Sequence, residues 1–91
     1  MENKRYRLHF YGIVQGVGFR YTASHAANMC RLTGFVRNEY DGSVLCEVQG
    51  AEGDIERFVQ IVRSGRFIDI TNIEKTLLPL DDDERGFEVR Y

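Results

Sequence analysis

Apolar and polar positions along the chain repeat either every second residue or at a helical period of about 3.6, and the switches between these periods mark the elements. From Tyr6 to Val14, Leu8, Phe10, Gly12 and Val14 share one face while His9, Tyr11 and Ile13 share the other, which predicts a strand. Gln15-Gly16-Val17-Gly18-Phe19-Arg20 breaks the alternation with glycines able to take positive φ and reads as a tight loop. Between Thr22 and Leu32, Ala23, Ala26, Ala27 and Cys30 recur at i, i+3, i+4 and i+7. That spacing predicts a helix, stopped at Gly34, whose small inward residues let it lie close to a sheet. Phe35 to Asn38 and Val44 to Gln49 are β-prone runs around Glu39-Tyr40-Asp41-Gly42-Ser43, a hairpin pattern. Ile55, Phe58, Val59 and Val62 predict a second helix, with Asp54 as its N-cap and Gly65 past its end. Ile68, Ile70 and Ile73 change step from two residues to three, so the strand from about Phe67 to Leu78, ended by Pro79, is expected to hold a bulge or a twist. After the solvated turn Asp81 to Gly86, Phe87, Val89 and Tyr91 alternate as a final strand.

The order β-α-β-β-α-β with right-handed crossovers puts both helices on one side of one sheet. The expected architecture is a ferredoxin-like α+β sandwich, an antiparallel sheet with two helices on one face plus a short C-terminal strand. Its 91 residues are expected to form a single domain spanning 1–91, with residues 1–5 frayed. A hydrophobic fraction of 43%, a charged fraction of 29% and one proline exclude the disordered classes. The 12 basic and 14 acidic residues leave a formal charge of −2, which offers no global positive field to a polyanion. Nucleic acid is therefore not an expected partner. No apolar run approaches membrane-spanning length, so no membrane association and a cytoplasmic location are expected. Cys30 and Cys46 are too far apart for a C-x-x-C site and read as reduced core thiols, with their pairing under oxidation left open.

The strand-loop-helix from Val14 to Thr22 carries the strongest chemical signal. Successive N–H groups in a glycine loop feeding a helix N-terminus form an anion cradle, and Arg20 at its end adds a planar fork of donors matched to phosphate or carboxylate. A plain connection with an incidental surface arginine fits the glycine spacing equally well. Gly16-Val17-Gly18 lacks the third glycine of a dinucleotide fingerprint, and no Gly-Lys-Ser/Thr follows for a P-loop. Asn38, ending a strand beside Asp41-Gly42, has the donor and acceptor needed to orient a water, and also suits a turn. Ser24 and His25 lie outside any G-x-S-x-G elbow, and His9 and His25 read as structural. The acidic run Asp81 to Glu84 lacks calcium-loop spacing, and no metal site is expected. Gly34-Phe35-Val36 is only faintly like the aromatic strand of RNA-binding sheets, without their basic balance.

Gly12-x-Val14-Gln15-Gly16-Val17-Gly18-Phe19-Arg20, then Gly34-Phe35-Val36-Arg37-Asn38, then Asp41-Gly42-Ser43-Val44 resembles the acylphosphatase family. The resemblance implies a hydrolase that cleaves the carboxyl–phosphate bond of acyl phosphates. It places the family's phosphate-binding arginine on Arg20, its water-orienting asparagine on Asn38 and its backbone cradle on Gln15, Gly16, Val17, Gly18 and Phe19. It implies no cofactor, a small acyl phosphate as substrate, inorganic phosphate as product and inhibitor, and a monomer. Phe35 stands where the family often has Trp, Gly65-Arg66-Phe67 replaces a glycine-proline link, and Leu45 takes a position commonly Glu. Two alternatives remain: a noncatalytic phosphate- or anion-binding module, and a detached relative of the acylphosphatase-like domain of hydrogenase-maturation carbamoyltransferases. The 91-residue length is an expectation against the second.

Overall fold

The structure, a computed structural model, describes residues 2–91. Strand β1 (Asn3–Ile13) buries Tyr6, Leu8 and Phe10 on one face. Helix α1 (Phe19–Met29) buries Phe19, Ala23, Ala26 and Ala27. The expected hairpin forms from β2 (Thr33–Asn38) and β3 (Val44–Ala51). Helix α2 (Glu52–Arg63) buries Ile55, Phe58 and Val62, and β4 (Asp69–Leu78) and β5 (Phe87–Arg90) complete the chain. The strand order is β4-β1-β3-β2-β5, with both helices on one face. Leu8, Phe10, Val36, Val44, Cys46 and Val48 of the sheet meet the buried helix residues in one core. Full burial of a side chain such as Leu8 or Phe10 stabilises by about 1.5 to 3 kcal/mol. Cys30 and Cys46 are free and buried, and burial pushes the Cys46 thiol far above its ordinary range.

Of the bulge or twist expected in the fourth strand, the structure has a bulge. Tyr11 faces Asn72 while Gly12 faces Ile70, so Thr71 is the extra residue on β4, within the three-residue step from Ile70 to Ile73. Helix boundaries differ from expectation. Gly18, at φ 76 and ψ 21, turns directly into α1, which begins at Phe19 and not near Thr22, so Arg20 lies in the first helical turn. Strand β3 runs straight into α2, leaving Ala51 at the N-cap position without a side-chain cap bond. Asp54, expected as that cap, sits instead in the first turn, where its charge faces the helix dipole. At the far end of α1 the bond from Leu32 N–H to Ala27 O (2.9 Å) closes a Schellman turn. Arg31 at its left-handed position has φ 59.

Two further expectations are corrected. Strands β1 to β4 are antiparallel, but β5 pairs parallel to β2, with Gly34 opposite Phe87, so the sheet is mixed. The path dictates this. Strand β4 ends where β2 begins, and residues 79–86 cross that end of the sheet past β1 and β3, so β5 enters alongside β2 in the same direction. Side chains pin the crossing. Gln49 Nε2 donates to Asp81 O (3.0 Å) and Asp81 N donates to Gln49 Oε1 (2.8 Å). Arg5 donates to both oxygens of Glu84 (2.7 and 3.0 Å) and to Glu47 Oε1 (3.0 Å). These bonds, with that to Glu84 foremost, hold the Arg5 guanidinium even more firmly protonated than usual. Residues 3–5 accordingly do not fray: Asn3, Lys4 and Arg5 pair with Ala51, Gly50 and Gln49. The carboxylates that bury Arg5 come from remote segments, which local patterning does not reveal. Met1 lies outside the described residues.

Candidate active site

The loop leaving β1 places two glycines in left-handed backbone, Gly16 at φ 74 and Gly18 at φ 76. A Cβ at either would meet open space, so conformation and not crowding calls for glycine there. The first helical bond of α1 runs from Thr22 N–H to Gly18 O (3.0 Å), which leaves the N–H groups of Phe19, Arg20 and Tyr21 without helical acceptors. No side chain caps this end and its first turn holds no acidic residue. Helix α2 is the contrast, since Glu52 and Asp54 occupy its first turn. Neither helix start has a side-chain cap, but the dipole of α1, unlike that of α2, is not offset by acidic side chains of its own first turn and stays available with its unpaired donors to an external anion.

Arg20, half-buried, stacks its Cζ 4.7 Å from the centroid of the Tyr91 ring on the far edge of the sheet. It makes no ion pair among the described residues. Asn38 ends β2 opposite Val44 and is exposed. The turn that follows is closed by Glu39 N–H donating to Ser43 O (2.8 Å). Gln15 Nε2 reaches this turn from the loop and donates to Glu39 O (2.6 Å) and Ser43 O (2.8 Å). Ser43 is 3% exposed. Its hydroxyl and N–H donate to Asp41 Oδ1 (2.5 and 2.9 Å) and hold the Asp41 carboxyl below the usual carboxylate range.

A cavity of about 380 Å³ brings Gln15, Gly16, Gly18, Phe19, Arg20 and Asn38 together, with Val14, Tyr21, Ser24, Val89 and Tyr91 as the rest of its lining. Among the described residues that line it, none is acidic. Of the expected loop residues, Val17 does not line the cavity, because its side chain packs against the core. Phe19 lines the cavity although it is 2% exposed, its ring packed 5.0 Å from that of Phe10 in the core. His9 and His25 lie off the cavity. His9 stacks on Tyr11 and places Nε2 2.6 Å from Ser43 Oγ, and His25 stacks on Tyr21. Among the described residues no group of three or more His, Cys, Asp or Glu could hold a metal ion. Sequence reasoning missed Val89 and Tyr91 as lining residues: their alternation gives a face, but only the parallel pairing of β5 with β2 gives the neighbour.

A sequence model of the acylphosphatase family matches residues 6–89. An acylphosphatase of Clostridium acetobutylicum is 38% identical over 97% of this chain and 98% of its own. The crystal structure of the Bacillus subtilis acylphosphatase superposes with a TM-score of 0.90 at 35% identity, covering 97% of this chain and 99% of that one. HypF of T. kodakarensis matches with a TM-score of 0.84 at 34% identity, covering 97% of this chain and 12% of that one.

Proposed function

Because this chain belongs to the acylphosphatase family, and so is a hydrolase of acyl phosphates, we propose that Arg20 and the loop amides bind the phosphoryl group while Asn38 orients the attacking water. The observation that supports this division is the single cavity that unites an uncapped helix start, Arg20 and Asn38. The cradle amides at Gln15 to Phe19 and the Arg20 fork surround the phosphoryl oxygens, over which the transition-state charge is spread. Asn38 accepts from the water and points its oxygen at phosphorus. As the new P–O bond forms, the bond from phosphorus to the acyl oxygen breaks and the carboxylate leaves with the electron pair. The water proton passes to a phosphoryl oxygen of the substrate. Since the leaving carboxylate is stable, no general base of shifted pKa is needed.

The finer reading is a monomer in the cytoplasm acting on a small acyl phosphate, inhibited by its inorganic phosphate product and engaging neither nucleic acid nor membrane. A formal charge of −2 and two free buried thiols support it. Among the described residues no helix is long and apolar enough to cross a membrane.

Benzoyl phosphate turnover tests the roles. Arg20→Lys keeps a charge but loses the planar fork, so turnover and phosphate affinity should both fall, affinity by roughly 1 to 3 kcal/mol. Asn38→Ala should lower turnover about 100- to 1000-fold and leave phosphate inhibition nearly unchanged. Equal loss of phosphate binding in the two variants would make Asn38 a phosphate ligand or a prop. Arg20 supplies the positive charge in this scheme, so activity should survive EDTA.

A further inference from the structure

We propose that the Gln15 carboxamide is a positioning residue that sets the separation between the phosphate cradle and Asn38. The proposal rests on the roles given above to the cradle and to Asn38. Strands β1 and β2 are not neighbours, because β3 lies between them. The loop leaving β1 and the strand end bearing Asn38 are thus two strand spacings apart, roughly 10 Å. Gln15 Nε2 crosses from the loop to the turn and donates to Glu39 O (2.6 Å), the carbonyl one residue after Asn38, and to Ser43 O (2.8 Å), which also accepts from Glu39 N–H. Both amide hydrogens are spent on these carbonyls. The group has no donor left for a phosphate, and its own carbonyl oxygen would repel one. Its side chain therefore serves the spacing of the two halves, while its backbone belongs to the cradle.

The far side of the turn is itself hydrogen-bonded, which gives the tie an anchor. Ser43 is held through its hydroxyl and N–H by Asp41, with His9 Nε2 2.6 Å from the same hydroxyl. Val44, paired with both Phe10 and Asn38, fixes the strands at this end, and the Gln15 bonds tie the loop beyond β1 to the turn beyond β2. The phosphoryl ligands all lie on the loop side and the water ligand on the turn side. Loosening the tie leaves each half intact and blurs the in-line geometry between them, and a misplacement of about 1 Å can lower turnover about 100-fold.

Gln15→Met keeps length and removes both donors, and Gln15→Asn keeps the amide but falls a methylene short. Both are assayed for benzoyl phosphate turnover and for inhibition by inorganic phosphate, with circular dichroism to confirm folding. If the first fails to fold, the second decides. The expected result is a kcat lower by about 10- to 100-fold with a phosphate inhibition constant within about twofold of wild type. A folded variant with unchanged kcat, or one losing kcat and phosphate affinity in parallel, overturns the proposal. Failure of the underlying roles looks different: wild type would not be inhibited by phosphate, or Asn38→Ala would keep full activity.

Discussion

Asp41 touches no site atom, yet its carboxylate carries the turn after Asn38. Two donors of Ser43 converge on Oδ1, and these bonds lower its pKa. The sign follows. A depressed carboxyl contributes its full stabilisation above the unfolded aspartate value and loses it as pH falls through the lower, folded one. Hydrogen exchange at the Ser43 amide is therefore expected to lose protection below the ordinary aspartate range while amides of the core strands stay protected. Asp41→Asn, which keeps an acceptor without the charge, should show weaker protection at neutral pH and no such acid step. Arg20 presents the opposite case, a charge with no ionic partner among the described residues and one aromatic face against it. Its guanidinium is steadied without being neutralised, which suits a group that must meet an anion.

Among the elements, apolar period placed both helices and the first, fourth and fifth strands, β-prone runs around Asp41-Gly42 placed the hairpin, and the change of step gave a bulge or a twist in β4, because each is written in residues a few positions apart. Boundaries were less legible. The start of α1 is set by a backbone torsion at Gly18, and the start of α2 by a strand that runs on into it, and neither leaves a side-chain signature. The site divided in the same way. Arg20 and Asn38 stand in local patterns, and their family resemblance named them, while the Gln15 tie and the Tyr91 contact depend on elements distant in sequence. The end of α1 supplies a test. Arg31 occupies a left-handed position at φ 59, where a Cβ is unfavourable. Arg31→Gly should raise stability by about 0.5 to 1 kcal/mol, the gain being reduced by the greater freedom of glycine in the unfolded chain. Urea titration would show it as a higher midpoint at an unchanged slope. A lower midpoint would mean that the Arg31 side chain contributes more than its backbone strain removes.

For the whole molecule the decisive device is the crossing of residues 79–86, which carries β5 to the edge of the sheet beside the cavity. Arg5 fixes it, with side-chain exposures of 6% for Arg5, 13% for Glu84 and 14% for Glu47. Removing one partner from so enclosed a cluster strands the others. Arg5→Leu is expected to destabilise by about 3 to 5 kcal/mol, whereas Glu84→Gln, which retains an acceptor, should cost less. Equilibrium unfolding of both variants would check the order, and equal small losses would show that the Gln49–Asp81 bonds suffice to hold the crossing. The contact between β2 and β5 joins residues separated by more than half the chain, Gly34 with Phe87, and is as non-local as the pairings of β1 with β3 and β4. Val89 and Tyr91 reach the cavity only with it. Turnover therefore depends on a wall supplied by the last residues of the chain, so recovered activity on refolding reports the seating of that C-terminal strand as well as the burial of the core.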